Sequence, residues 1–148
     1  MRLWGKRVLA VDDDVDTLDV VSEVLRRAGA EVIGVGAAEY ALPTVVFLMP
    51  DVLIVDVAMP GQDGVTLVRR LRELPPDHGG LIPAVALTAV PPTAAARAEW
   101  LEAGFQQHLA KPFDPEELVA LLAALLDYQR GPERRSNSAS PGGSGRAK

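Results

Sequence analysis

The chain has no cysteine, which excludes disulfide bonds and metal sites built from thiolates. It also has no apolar run near the roughly 20 residues that a membrane-spanning helix needs. Residues 1–6 contain no apolar signal-peptide core and lead directly into a strand-like run. Together these absences predict a cytoplasmic protein that makes no membrane contact.

Length and hydrophobic content predict one globular domain. A chain of 148 residues is long enough for one domain with a real core and too short for two of ordinary size. Hydrophobic residues make up 48% of the chain, which is typical of globular rather than disordered proteins. The end of the chain differs, because residues 129–148 are rich in Ser, Gly, Pro and Arg. We therefore predict a domain at 1–128, followed by a flexible tail or the stub of a linker.

Charge is unevenly distributed. The whole chain carries a net −5, and residues 131–148 carry a net +3, which leaves −8 for residues 1–130. Because the phosphate backbone of nucleic acids attracts basic surfaces, an acidic body argues against direct nucleic-acid binding by the folded part.

Short apolar runs alternate with helical patterns over most of the chain, and each apolar run is nearly continuous, as expected for strands covered on both faces. This alternation predicts a parallel sheet with helices on both sides. The fold class is therefore α/β, a flavodoxin-like three-layer sandwich with five strands in the order 2-1-3-4-5. We predict strands at 7–12, 31–35, 52–56, 83–88 and 108–110, and helices at 15–28, 38–47, 63–73, 92–103 and from Pro115 onward.

The second helix breaks local rules. Ala37 stands where Ser or Thr would cap the helix, so the first N–H groups lack a side-chain acceptor. Pro43 lies inside the predicted helix, where it should remove a hydrogen bond and force a kink.

Polar side chains stand where the predicted strands end. Strand one delivers Asp12 and Asp13, strand three Asp56, strand four Thr88, and strand five is followed by Lys111. Because function in an open parallel sheet sits at the carboxyl ends of the strands, we expect these five side chains to converge.

Three carboxylates at close quarters repel one another and need a cation. A hard divalent ion with oxygen ligands supplies it, and Mg²⁺ is the usual occupant of such a site beside a phosphate. One carboxylate could then act as a nucleophile and form an acyl phosphate, while Lys111 pairs with phosphoryl oxygens and Thr88 hydrogen-bonds another.

Each residue alone has a simpler explanation. Asp12 could be a solvated loop acid, and Asp13 or Asp14 could cap the first helix. Thr88 could be structural and Lys111 a surface lysine. The evidence for a site is the joint occurrence of these residues at four strand ends.

Four segments carry a resemblance to a known family. In order and spacing the chain resembles the receiver domain of response regulators, over about residues 7–126. Its amino-acid sequence around the last strand is most similar to receivers attached to hybrid histidine kinases. The segments are Val11-Asp12-Asp13-Asp14, Asp56-Val57-Ala58-Met59-Pro60-Gly61-Gln62-Asp63-Gly64, Ala86-Leu87-Thr88-Ala89 and Lys111-Pro112-Phe113.

The resemblance implies a role for each matching position. Asp56 corresponds to the phosphoacceptor and Lys111 to the lysine of the family. The magnesium ligands implied are Asp12, Asp13, Asp56 and the backbone carbonyl of Ala58. Thr88 corresponds to the hydroxyl that moves toward the phosphoryl group, and Pro112 is expected to follow a cis peptide bond.

One position departs from the family. Receivers usually carry Tyr or Phe three residues before the lysine, where the ring moves inward on activation, and this chain has His108. Either His108 fills the same slot in the switch, or the switch is changed or absent. Trp100 stands in the fourth helix where the family usually has a small residue, and the sequence leaves open whether it is core or contact surface.

The function implied by the resemblance is phosphorelay signalling. The partners would be a sensor histidine kinase or phosphotransfer protein and a downstream protein, and a homodimer could form on phosphorylation. Such a module is no enzyme beyond catalysing its own phosphoryl acceptance and loss.

Two alternatives remain open at this stage. The first is a receiver fold that binds a partner without being phosphorylated, favoured only by His108. The second is a phosphatase of the haloacid dehalogenase type, whose nucleophile lies in an Asp-x-Asp-x-Thr/Val pattern after the first strand. Asp16 stands at the last position of that pattern here, which argues against it.

Overall fold

The computed structural model describes residues 2–59, 63–89 and 92–139, with the backbone alone from residue 128 onward. Strands and helices alternate along the chain, as the apolar pattern predicts. The elements are β1 (Arg7–Val11), α1 (Val15–Arg27), β2 (Glu31–Val35), α2 (Ala41–Leu48), β3 (Val52–Asp56), α3 (Gly64–Arg72), β4 (Ala84–Thr88), α4 (Ala94–Ala103), β5 (Gln107–Ala110) and α5 (Pro115–Ala139).

The five strands form one parallel sheet in the order β2-β1-β3-β4-β5, which confirms the predicted fold class. Every residue of β3 and β4 is buried, because parallel strands with helices on both faces have no solvated side. One apolar core lies between the sheet and α1 and α5, and a second lies between the sheet and α2, α3 and α4. The sheet is therefore a rigid platform whose carboxyl edge stays accessible.

Side-chain caps fix where four of the helices begin. Asp14 accepts a hydrogen bond from the backbone N–H of Asp16 at the start of α1. The same role falls to Asp63 for α3, Thr93 for α4 and Asp114 for α5. These oxygens satisfy N–H groups that have no partner within the helix.

The second helix corrects the sequence prediction. A short 3₁₀ turn spans Ala38–Tyr40 and lacks a side-chain cap, as the Ala at position 37 implies. The α-helix then begins at Ala41, so Pro43 is its third residue. The N–H groups of the first helical turn have no intrahelical acceptor, and the missing N–H of Pro43 therefore costs no hydrogen bond. The expected kink in the middle of a helix is replaced by a change of helix type before it.

The last helix ends beyond residue 128, where we predict that the domain ends. It continues through Ala139, whereas the sequence predicts a flexible segment over residues 129–148. The rest of that segment, residues 140–148, lies outside the described residues. No helix in the described part of the chain is long and apolar enough to span a membrane.

Candidate functional site

The carboxyl ends of four strands meet at one edge of the sheet. Asp12 follows β1, Asp56 ends β3, Thr88 ends β4 and Lys111 follows β5. Asp12, Asp56 and Thr88 are the buried polar residues of the described chain. Burial of polar groups is costly without partners, so their placement together marks the functional end of the sheet.

Three carboxylates lie close together at this edge. Asp12, Asp13 and Asp56 each offer an oxygen, and these oxygens all lie within 4.8 Å of one another. Asp12 is 1% exposed and Asp56 6%, whereas Asp13 is exposed to solvent. Three hard oxygen donors, one of them facing solvent, form a donor set that suits Mg²⁺.

The backbone around Asp12 holds its carboxylate in place. Its N–H donates to the carbonyl of Val35 at 3.1 Å, and its Oδ1 accepts from the N–H of Asp14 at 2.9 Å. The Asp14 side chain is occupied elsewhere, because it caps α1 and accepts from Thr17 Oγ1 at 3.0 Å. Of the three consecutive acids, Asp14 is thus the helix cap, and Asp12 and Asp13 serve the cluster.

Asp56 is held at the start of the next loop. Its Oδ1 accepts the N–H of Ala58 at 3.0 Å, which places the backbone of residue 58 beside the carboxylate. Gly64 approaches the same strand end, where a Cβ atom would overlap the backbone oxygen of Asp56 and lie 2.9 Å from Val55 Cγ1. Only glycine permits this approach of α3 to the carboxyl end of β3.

Gly64→Ala is therefore expected to destabilise the fold by about 2 kcal/mol, because the added methyl group must displace backbone rather than a flexible side chain. The free energy of unfolding from urea denaturation measures this effect. Gly36→Ala is the matched control, since its Cβ would meet only the Asp12 carbonyl at 4.0 Å. Equal stability of the two variants would show that the overlap is absent.

Lys111 joins two of the carboxylates. Its Nζ lies 3.0 Å from Asp12 Oδ2 and 3.6 Å from Asp56 Oδ2. Burial alone would lower the pKa of the Lys111 ammonium, but the hydrogen bond to Asp12 and the two negative charges outweigh burial and raise that pKa. Lys111 is therefore a fixed positive charge at neutral pH.

The Asp12 carboxyl shows the opposite balance. Burial raises its pKa, and the charge of Asp56 adds to the effect. The hydrogen bonds from the Asp14 N–H and from Lys111 lower that pKa but do not outweigh burial. A carboxylate in this position gains from an added cation, which agrees with a metal site.

Thr88 is placed by the sheet beside Lys111. It is buried at the end of β4, and its carbonyl accepts the N–H of Lys111 at 2.7 Å. Its register partner on β5 is Ala110. The two polar groups predicted from β4 and β5 are thus linked through one backbone hydrogen bond.

His108 lies apart from the acidic cluster. It is half-buried on β5, and its ring centroid lies 5.8 Å from that of Trp100 at a tilt of 54°. Trp100 is 8% exposed, so it belongs to the core between the sheet and α4. Both rings line a cavity of about 200 Å³ between α4 and β5, beside Arg97 and Leu101.

The structure thus brings together Asp12, Asp13, Asp56 and Lys111 as predicted, and places Thr88 at the same edge. Sequence reasoning missed Arg72 and Gln106, which link the opposite ends of β4 and β5. The sequence holds no local signal for them, because the contact joins residues 34 positions apart.

The comparisons with known proteins agree with this geometry. The family model of the response regulator receiver domain matches residues 8–123. An uncharacterized 14.6 kDa protein from Leptolyngbya boryana is 43% identical over 115 residues, covering 78% of this chain and 86% of that protein. The DNA-binding response regulator MtrA of Mycobacterium bovis is 37% identical over 126 residues, 85% of this chain. The chain spans 53% of the length of that relative.

A solved structure shows the same similarity. The receiver domain of the sensor histidine kinase PA1611 of Pseudomonas aeruginosa, solved with a magnesium ion coordinated in its active-site cleft, aligns with a TM-score of 0.74 at 29% identity. The alignment covers 83% of this chain and 98% of that domain.

The chain belongs to the response regulator receiver domain family. Its function is two-component phosphorelay signal transduction, and the match sets aside the phosphatase alternative.

Proposed function

We propose that the chain accepts a phosphoryl group on Asp56 from a histidine kinase or phosphotransfer protein, in a reaction that needs Mg²⁺. The observation that carries this proposal is the cluster of three carboxylates within 4.8 Å, with Lys111 placed between the two buried ones. Asp56 is the member that ends the central strand β3, and its Oδ1 accepts a hydrogen bond from the N–H of Ala58.

The ligands that we propose for the metal are Asp12, Asp13, Asp56 and the backbone carbonyl of Ala58. Mg²⁺ held there would neutralise the carboxylates and a phosphoryl oxygen. The donor set fits this ion because it consists of hard oxygens and because Asp13 leaves one side open to solvent.

The transfer itself is a nucleophilic displacement at phosphorus. An oxygen of Asp56 forms a new O–P bond, and the N–P bond of the donor phosphohistidine breaks with its electron pair left on the imidazole nitrogen. Lys111 would exchange its contact with Asp12 for one with a phosphoryl oxygen. Thr88 would donate its hydroxyl to another, which moves the carboxyl end of β4 and provides the switch.

The output that we propose is a changed affinity for a partner protein, for which a second copy of this chain is one candidate. When Thr88 moves, His108 would transmit that movement to α4, because its ring contacts the ring of Trp100 in that helix. In this proposal the chain catalyses only its own phosphoryl acceptance and loss, binds no nucleic acid directly and works in the cytoplasm.

Asp13→Asn is expected to weaken Mg²⁺ binding by about tenfold, or 1.4 kcal/mol, because one anionic ligand is lost while the fold is undisturbed at an exposed position. Isothermal titration with MgCl₂ measures the change. Asp19→Asn removes one exposed charge from α1 outside the cluster and is the control. Equal affinities of the two variants would contradict the assignment of Asp13.

Beryllofluoride, which mimics a phosphoryl group, tests the switch. In a Trp4→Phe background Trp100 is the remaining tryptophan, and it is buried against His108. We expect its emission to change on addition of beryllofluoride with Mg²⁺, and no change in Asp56→Asn. Binding without any change in Trp100 emission would contradict the switch and favour the phosphorylation-independent alternative.

A further inference from the structure

A half-buried arginine connects three segments far from the acidic cluster. Arg72, the last residue of α3, donates from Nη1 to the carbonyls of Gly80 at 2.9 Å and Ile82 at 2.7 Å. It donates from Nε and Nη2 to the carbonyl of Gly104 at 3.2 and 2.7 Å. These carbonyls belong to the loops that lead into β4 and β5.

Gln106 completes the connection. Its side-chain oxygen accepts from Arg72 Nη2 at 3.2 Å and from the N–H of Ala84 at 2.8 Å. Its own N–H donates to the carbonyl of Ala84 at 2.9 Å. We call Arg72 and Gln106 the clasp. The clasp joins the first residue of β4 to the segment before β5.

The clasp is tightly packed as well as hydrogen-bonded. A Cβ atom at Gly104, where φ is +116°, would lie 2.7 Å from Arg72 Nε and 2.8 Å from Arg72 Cγ. In the described part of the chain all partners of Arg72 are carbonyl oxygens. Burial lowers the pKa of its guanidinium, yet arginine stays protonated in proteins. A charge held this way at the end of α3 has one well-defined position.

The two clasped strands carry the two non-acidic groups of the site. β4 runs only from Ala84 to Thr88, and β5 is followed at once by Lys111. At 3.3 Å per residue the clasp lies about 13 Å from Thr88 along a buried strand. A displacement at the amino end of so short a strand is carried to its carboxyl end, because the backbone between them is paired on both sides.

The acidic half of the site is built differently. Asp12 and Asp13 follow β1, and Asp56 ends β3. None of the hydrogen bonds of the clasp involves a residue of β1 or β3. Asp56 is connected to the clasp only through the pairing of β3 with β4, so loss of the clasp should affect the hydroxyl and ammonium groups more than the metal ligands.

We propose that Arg72 and Gln106 are positioning residues for phosphoryl acceptance, which set the places of Thr88 and Lys111 relative to Asp56. This inference rests on the proposed function, because it concerns the rate of that reaction. It predicts that the rate of transfer and the affinity for Mg²⁺ respond separately to changes in the clasp.

The test uses three variants of the full chain. Gln106→Leu removes both side-chain hydrogen bonds at similar volume, Gln106→Glu keeps an acceptor for Arg72 and Ala84, and Arg72→Lys removes the planar fork. Each is compared with the wild type at a temperature where circular dichroism shows it folded. The readouts are the rate of adduct formation from acetyl phosphate at saturating Mg²⁺ and the dissociation constant for Mg²⁺.

We expect the rates of Gln106→Leu and Arg72→Lys to fall about tenfold, since sub-ångström misplacement of groups at a reacting centre is costly. Their Mg²⁺ affinities should stay within about twofold of the wild type, and Gln106→Glu should restore the rate. The proposal is overturned if the rates do not change, if rate and affinity fall together, or if Gln106→Glu is as slow as Gln106→Leu.

The wild-type chain distinguishes failure of the clasp proposal from failure of the proposed phosphoryl acceptance. A wild type that forms no adduct refutes the proposed function, and the clasp proposal falls with it. A wild type that is phosphorylated while all three variants match its rate refutes the clasp alone.

Discussion

Asp56→Asn is expected to slow phosphoryl acceptance by more than about 100-fold, because the amide oxygen is a far weaker nucleophile than the carboxylate. The fold should be kept, since the amide oxygen can still accept the N–H of Ala58. Loss of one of three neighbouring negative charges should also leave the metal-free protein at least as stable as the wild type. A phosphate-affinity gel after incubation with acetyl phosphate and Mg²⁺ measures the loss.

Asp127→Asn provides the control for this experiment. It makes the same chemical change at an exposed position on α5, and it should be phosphorylated at the wild-type rate. A retained gel shift in Asp56→Asn would place the acceptor at another residue and refute the assignment.

Lys111→Met is expected to lower the stability of the metal-free protein and to raise its affinity for Mg²⁺. Both quantities can be measured on one sample. Without metal it leaves the carboxylates of Asp12 and Asp56, whose side chains are 2% and 9% exposed, without their cation. Removal of one partner from a buried ion pair costs about 3 kcal/mol, because the remaining charge stays desolvated. Mg²⁺ should restore much of this loss, and its affinity should rise, because the ammonium no longer competes for the same oxygens.

The same substitution should slow phosphoryl transfer by about 100-fold, since a fixed positive charge next to the transferred group is lost. Urea denaturation with EDTA or MgCl₂ measures the stability, and adduct formation measures the rate. Lys6→Met is the control, because Lys6 precedes β1 at the amino end of the sheet. A variant that is less stable but transfers at the wild-type rate would restrict Lys111 to a structural role.

Much of the site could be predicted because its residues follow from a rule of topology. Parallel strands place their carboxyl ends at one edge, so Asp12, Asp56, Thr88 and Lys111 had to approach one another once the strands were identified. The strands themselves could be predicted because buried parallel strands are almost purely apolar, as β3 and β4 are.

The remaining features depend on contacts that local sequence does not encode. A 3₁₀ turn precedes α2, so the α-helix begins three residues later than predicted. Pro43 therefore lies in the first turn of the helix. The clasp depends on a side chain of α3 reaching two loops at once. The burial of Trp100 was left open by the sequence, because residues of α4 do not form a clear apolar stripe, and the structure places the ring against His108.

Intact-mass spectrometry of the wild-type chain tests the central claim most directly. The chain is incubated with acetyl phosphate in the presence of MgCl₂ and, in parallel, in the presence of EDTA. We predict a single phosphoryl adduct that forms only with the metal, because the carboxylates of Asp12, Asp13 and Asp56 need a cation before a phosphoryl group can approach them. No adduct in either sample, together with no binding of beryllofluoride, would contradict phosphoryl acceptance and leave a receiver fold that binds its partner without phosphorylation.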